Sequence, residues 1–159
     1  MSGPSGPSPY INKERGETNI KKRILALTAA LCLLFTVVLS GCGGKQSLED
    51  YFNSDAMQKL VSATAEQYEA QGIGVEMYAS GDELHYDFTI NGLETTEEDR
   101  SVYAETLQPV LDESASSFVD TASQIQSAVT NETVVVVVTY LDGSGNELLS
   151  QSYSSEDAA

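Results

Sequence analysis

The chain has 159 residues, with 24 Asp and Glu against 8 Lys and Arg, for a formal net charge of −16. Cys42 divides that charge: up to it five Lys and Arg face two Glu, and from Gly43 onward three Lys and Arg face 22 Asp and Glu, a net −19. A segment so acidic, with no basic cluster, is repelled by phosphate backbones and argues against a nucleic-acid partner. Neither of the two cysteines, Cys32 and Cys42, falls beyond residue 42, so nothing downstream can form a disulfide or a thiolate metal site.

Residues 1–20 are rich in Ser, Gly and Pro and carry no apolar period. They read as a disordered leader, or as residues placed ahead of a misassigned start. Lys21, Lys22 and Arg23 then precede an apolar run from Ile24 to Leu39 that ends in Leu39-Ser40-Gly41-Cys42. A charged head, an apolar middle and a small-residue cleavage point are the parts of a secretory signal, here residues 21–41. The run is shorter than the ~20 residues that cross a bilayer core. Its last four positions resemble the lipobox, a Leu, a small residue, Gly or Ala, then Cys.

That resemblance implies diacylglyceryl transfer to the Cys42 thiol, cleavage after Gly41, and Cys42 as the first mature residue. The palmitate-class anchor, at about 0.8 kcal/mol per buried methylene, would hold the protein at the extracytoplasmic face of the cell membrane. Residues 42–46 are a tether reaching at most ~3.5 Å each. Residues 47–154 are expected to form a single domain and residues 155–159 a frayed tail.

Ser47 with Asp50 suggests a helix cap, and Leu48, Tyr51 and Phe52 make one apolar stripe. Asn53, Ser54 and Asp55 suggest a pause and a second cap. Met57, Leu60, Val61, Ala65 and Tyr68 recur at helical spacing, and Gly72 supplies a stop. Ile73, Val75, Met77 and Ala79 then alternate with polar positions. So do Leu84, Tyr86, Phe88 and Ile90 after the turn Ser80-Gly81-Asp82, which predicts a β-hairpin with one buried face.

Thr95 with Glu98 predicts the start of a helix running to about Val129, kinked or split at Pro109. Val134 to Val138, five successive valines, are too β-branched and too short a run for a helix and predict a central strand within Thr133–Leu141. Asp142-Gly143-Ser144-Gly145-Asn146 turns the chain into a last strand with Leu149 and Tyr153 on one face. The expected fold class is α+β in two layers. Its order is helix-strand-strand-helix-strand-strand, with two hairpins completing a four-stranded antiparallel sheet and the helices on one face.

The chemistry available is sparse. The chain has one histidine and no Trp, and it matches no serine-hydrolase elbow, phosphate loop or zinc helix. No catalytic, cofactor or metal residues are therefore assigned, and the protein is read as not an enzyme. Asp142 to Glu147 has oxygens at alternate positions but departs from a calcium loop, with Glu147 where Gly is required and Tyr153 at the twelfth place. Asn131-Glu132-Thr133 has the form of a glycosylation acceptor, which a bacterial export signal makes uninformative.

The exported segment resembles a family of small lipoproteins, found mainly in Gram-positive Firmicutes, that is catalogued as a domain of unknown function. The resemblance rests on Leu48-Glu49-Asp50-Tyr51, Leu84-His85-Tyr86, the long acidic helix and Tyr140-Leu141-Asp142-Gly143-Ser144-Gly145. It spans Ser47 to Tyr153 and brings no assigned activity. The reading is therefore a membrane-anchored binding module for an envelope protein or cell-wall component. Its contact surface is expected on the sheet face free of helices, at Glu76, Tyr78, His85 and Asp87. The alternative is capture of a small cationic solute or metal ion by the acidic domain.

Overall fold

A computed structural model describes residues 44–158; the signal segment and Cys42 lie outside them. The Ser47 hydroxyl accepts the Asp50 N–H and caps α1, Leu48–Phe52. The Ser54 hydroxyl accepts the Met57 N–H and caps α2, Asp55–Glu69. These polar caps satisfy donors that the first turn of a helix leaves unpaired, each at about 1 kcal/mol. Leu48, Phe52, Met57 and Tyr68 are buried, so the apolar stripe read from the sequence does face the core.

Gly72, at φ 82°, turns the chain into β1, Ile73–Ser80, which pairs antiparallel with β2, Glu83–Ile90. Alternation holds: Leu84, Tyr86, Phe88 and Ile90 are buried, whereas Glu76 and Tyr78 on the neighbouring strand are exposed.

The long helix α3 spans Glu97–Ala128. Its cap is Thr96, one residue later than expected. The Thr96 hydroxyl accepts the Asp99 N–H at 3.3 Å, and the Asp99 carboxylate accepts the Thr96 N–H at 3.1 Å. Thr95 is drawn instead to Asp142, as described below. The helix is neither split nor ended at Pro109. Pro109 and Glu105 are both exposed, so the carbonyl that loses its helical partner can bond to water, while Leu107, Val110 and Leu111 are anchored in the core.

β3, Val135–Leu141, and β4, Glu147–Ser154, complete a sheet of order β1-β2-β3-β4. The valine run is central, as its two-sided apolar pattern predicts. The sheet is not wholly antiparallel, however: β2 and β3 run parallel, with Leu84 opposite Val136, Tyr86 opposite Val138 and Phe88 opposite Tyr140. The cause is α3. A helical crossover returns the chain to the end of the sheet where β2 began, so the next strand enters in the same direction. Two helices precede the first hairpin, the short one and the longer one that the Ser47 and Ser54 caps suggest, so the element order carries one helix more than helix-strand-strand-helix-strand-strand.

The inward side chains of all four strands join Leu48, Phe52, Leu107, Leu111, Phe118, Ala122 and Ile125 in one core. Each fully buried residue of this size contributes about 1.5–3 kcal/mol relative to exposure. An irregularity opposite Tyr140 and Leu141 brings Leu148 into that core beside Leu149. Residues expected to fray form a 3-10 turn, Ser155–Asp157, whose Ser155 is buried and accepts the Val134 N–H through its hydroxyl at 3.0 Å.

The two ends of the sheet are each tied down by one polar side chain. At the end holding the β1–β2 turn, Asn131 accepts the Leu48 N–H at 2.7 Å and donates to the Gly81 carbonyl at 3.2 Å. Close by, the Thr130 N–H donates to the Gln46 carbonyl at 2.8 Å, which fixes the first described residues against the α3–β3 connection. At the opposite end Asp142 plays the corresponding part.

Candidate functional site

The candidate residues lie on the face of the sheet turned away from the helices, and the hairpin register brings all four together. Glu76 stands opposite Asp87 and Tyr78 opposite His85. The Tyr78 and His85 rings stack with centroids 4.5 Å apart and planes within 4°. His85 Nε2 lies 3.0 Å from the Glu83 carboxylate, and the imidazole is covered by the tyrosine while Tyr78 itself is exposed. Glu83, His85 and Asp87 are therefore one row, two residues apart along β2.

The electrostatics are those of a crowded acidic patch. Partial burial raises the Asp87 carboxyl above its ordinary value; His85 opposes this, and Glu76 and Glu147 add to it. The Thr139 hydroxyl, opposite Asp87 on β3 and 3.1 Å from the Ser150 hydroxyl, favours the charged form of Asp87. Burial also raises the Tyr78 phenol, with Asp87, Glu76 and Glu83 reinforcing the shift. Lys45, Lys59 and Arg100 are the only Lys and Arg among the described residues, and none lies on a strand. The patch thus offers carboxylates and an aromatic surface to a cation, a combination suited to guanidinium or ammonium groups.

Two members of this patch escaped the sequence reading. Glu83 was legible in principle, because it shares the alternation of His85 and Asp87. Thr139 was not, since its place beside Asp87 depends on parallel pairing between β2 and β3. Cys42, the expected lipidation residue, lies outside the described residues.

The Asp142 loop holds a second polar cluster. The Asp142 carboxylate accepts the Thr95 hydroxyl at 2.7 Å, the Ser144 N–H at 3.0 Å, the Asn146 N–H at 2.8 Å and the Asn146 side-chain amide at 3.0 and 3.2 Å. These donors hold its pKa well below the ordinary carboxylate range, led by the Asn146 and Thr95 side chains. Every lone-pair direction of the carboxylate is engaged by the protein itself, so this is a turn and not a calcium loop. Among the described residues no group of three or more His, Cys, Asp or Glu is placed to hold a metal ion. No helix among them is long and apolar enough to cross a membrane.

These features define a small two-layer α+β domain whose distinctive surface is an acidic, aromatic sheet face. The chain belongs to the family described as Domain of unknown function (DUF4854), whose model matches residues 48–153. Neither the curated proteins nor the solved structures gave a match.

Proposed function

We propose that this protein is a lipid-anchored, non-catalytic interaction module of the extracytoplasmic membrane face, of the small Gram-positive lipoprotein kind. In this reading Cys42 carries the diacylglyceryl group, and the sheet face bearing Glu76, Tyr78, His85 and Asp87 engages an envelope protein. The observation that carries the reading is the convergence of those four residues on the face opposite the core, at the exposed end of a stacked Tyr78–His85 pair. A domain with a net −19 beyond Cys42 selects a cationic partner surface and stays clear of anionic headgroups.

The test is in-cell crosslinking of the lipidated protein with a photoreactive residue in place of Tyr78, followed by mass spectrometry. Neighbours captured by the native chain are expected to disappear in a Cys42→Ala control and to fall in a Glu76→Gln/Asp87→Asn variant. An unchanged set of neighbours in both variants would sink the proposal.

A further inference from the structure

The sheet has a second feature suited to a partner, along its β4 edge. Ser155 donates its N–H to the Val134 carbonyl at 2.8 Å, so the odd-numbered residues from Leu149 to Tyr153 turn their main-chain groups toward β3. Ser150, Ser152 and Ser154 must then turn theirs outward, away from the sheet. At Ser154 this is directly visible, because its N–H is taken by the Asp157 carboxylate at 3.2 Å. The main-chain groups of Ser150 and Ser152 have no partner among the described residues, and both serines are exposed.

An open edge is normally blunted by Lys, Pro, a bulge or a covering loop. β4 is blunted only at its ends, by the irregularity at Leu148 and the capped turn at Ser155–Asp157. Between them Leu149-Ser150-Gln151-Ser152-Tyr153 has no charge and no proline. Carboxylates border the open stretch on every side described: Glu147 at one end, Glu156 and Asp157 at the other. Asp112 of α3 stands on the helix side, held by the Gln108 amide that also reaches Gln151. Pairing with a second copy would set Glu147 against Glu156 and Asp157 in an antiparallel arrangement, or against itself in a parallel one. Like charges so placed are repelled.

We infer that the β4 edge accepts an extended, cationic polypeptide segment of another protein as a fifth strand, through the main-chain groups of Ser150 and Ser152. Hydrogen bonds to the backbone supply the register, and the surrounding carboxylates of Glu147, Asp112 and Glu156 favour Lys or Arg in the added strand. The inference rests on the domain being an interaction module but not on the Tyr78–His85 face.

The experiment titrates the full chain, in non-ionic detergent, with a fluorescent synthetic peptide alternating Lys and Thr, and with its Glu-Thr counterpart. Amide exchange at Ser150 and Ser152 is followed in parallel. The Lys-Thr peptide is expected to bind and slow exchange at both serines, and the Glu-Thr peptide to do neither. Ser152→Pro removes an outward N–H without touching the β3 ladder, and should weaken binding about tenfold, the loss of main-chain bonding at that position. Ser152→Lys, which keeps the strand's N–H pattern, should weaken it as well by charge. Glu76→Gln/Asp87→Asn should bind unchanged, which separates this edge from the open face. Equal binding by Ser152→Pro, no binding of the Lys-Thr peptide, or protection of Ser152 by self-association alone would each overturn the inference.

Discussion

Two aspartates with opposite environments set how the protein responds to acid. The folded state lowers the pKa of Asp142, so the stability it supplies is complete above the ordinary value of 3.8 and is lost as pH falls below it. Asp87 is raised from 3.8, so its charge weighs against the fold at neutral pH and that penalty is relieved as pH falls through its folded value. Asp87→Asn is therefore expected to melt higher than the native chain near neutral pH, with the difference closing toward about pH 4. Asp142→Asn should melt lower near neutral pH, and its deficit should shrink only under more acidic conditions. Thermal melts of the three proteins across pH check both signs; parallel curves for either variant would contradict the assignment.

Among the elements, α3 is the one that departs from its own local preference. Pro109 leaves the Glu105 carbonyl without its helical donor in an otherwise continuous 32-residue helix. A proline in a helix interior costs about 3 kcal/mol, partly offset by the stiffer unfolded chain, so Pro109→Ala should stabilise the protein by about 2 kcal/mol. Urea unfolding would register this as a higher midpoint with the slope unchanged, since the surface exposed on unfolding is the same. The same helix decides the sheet. A continuous α3 spans the layer and carries β3 back to the start of β2, and the parallel central pair follows from that length.

At the scale of the whole molecule, the proposed anchor and the fold together fix an orientation. Gln46 is bonded to Thr130 and lies only four positions after Cys42. The Asn131 end of the sheet is therefore held within about 14 Å of Cys42, the residue proposed to carry the lipid. The Asp142 end lies a strand length farther, about 26 Å for eight residues. Fluorophores attached through Glu132→Cys and Ser144→Cys should report this difference in membranes containing headgroup-linked quenchers. Strong quenching at position 132 and weak quenching at 144 is the expected result; equal quenching would mean that the domain does not stand on its Asn131 end. The β4 edge and the open face both run along the axis between those ends and remain accessible from the side.

Element type and core-facing stripe were legible in the sequence because each is a local property. Ser47 and Ser54 are good caps, Leu84 to Ile90 alternate, and five β-branched residues cannot prefer a helix. The gathering of Glu76, Tyr78, His85 and Asp87 was legible too, because a hairpin with a short turn has one register that keeps its apolar face inward. Strand direction between β2 and β3 was not, since it depends on whether α3 survives Pro109, and tertiary anchoring of Leu107 and Leu111 decides that. Nor was the choice of Thr96 over Thr95 as the cap, which turns on Asp142, a residue 47 positions from Thr95, claiming the Thr95 hydroxyl. By itself the sequence determined the secondary structure, the single core and the acidic surface, through short-range sterics and patterning. Only the tertiary structure decided the parallel pairing, the capture of Thr95 by Asp142 and the open β4 edge, because each depends on contacts between residues far apart along the chain.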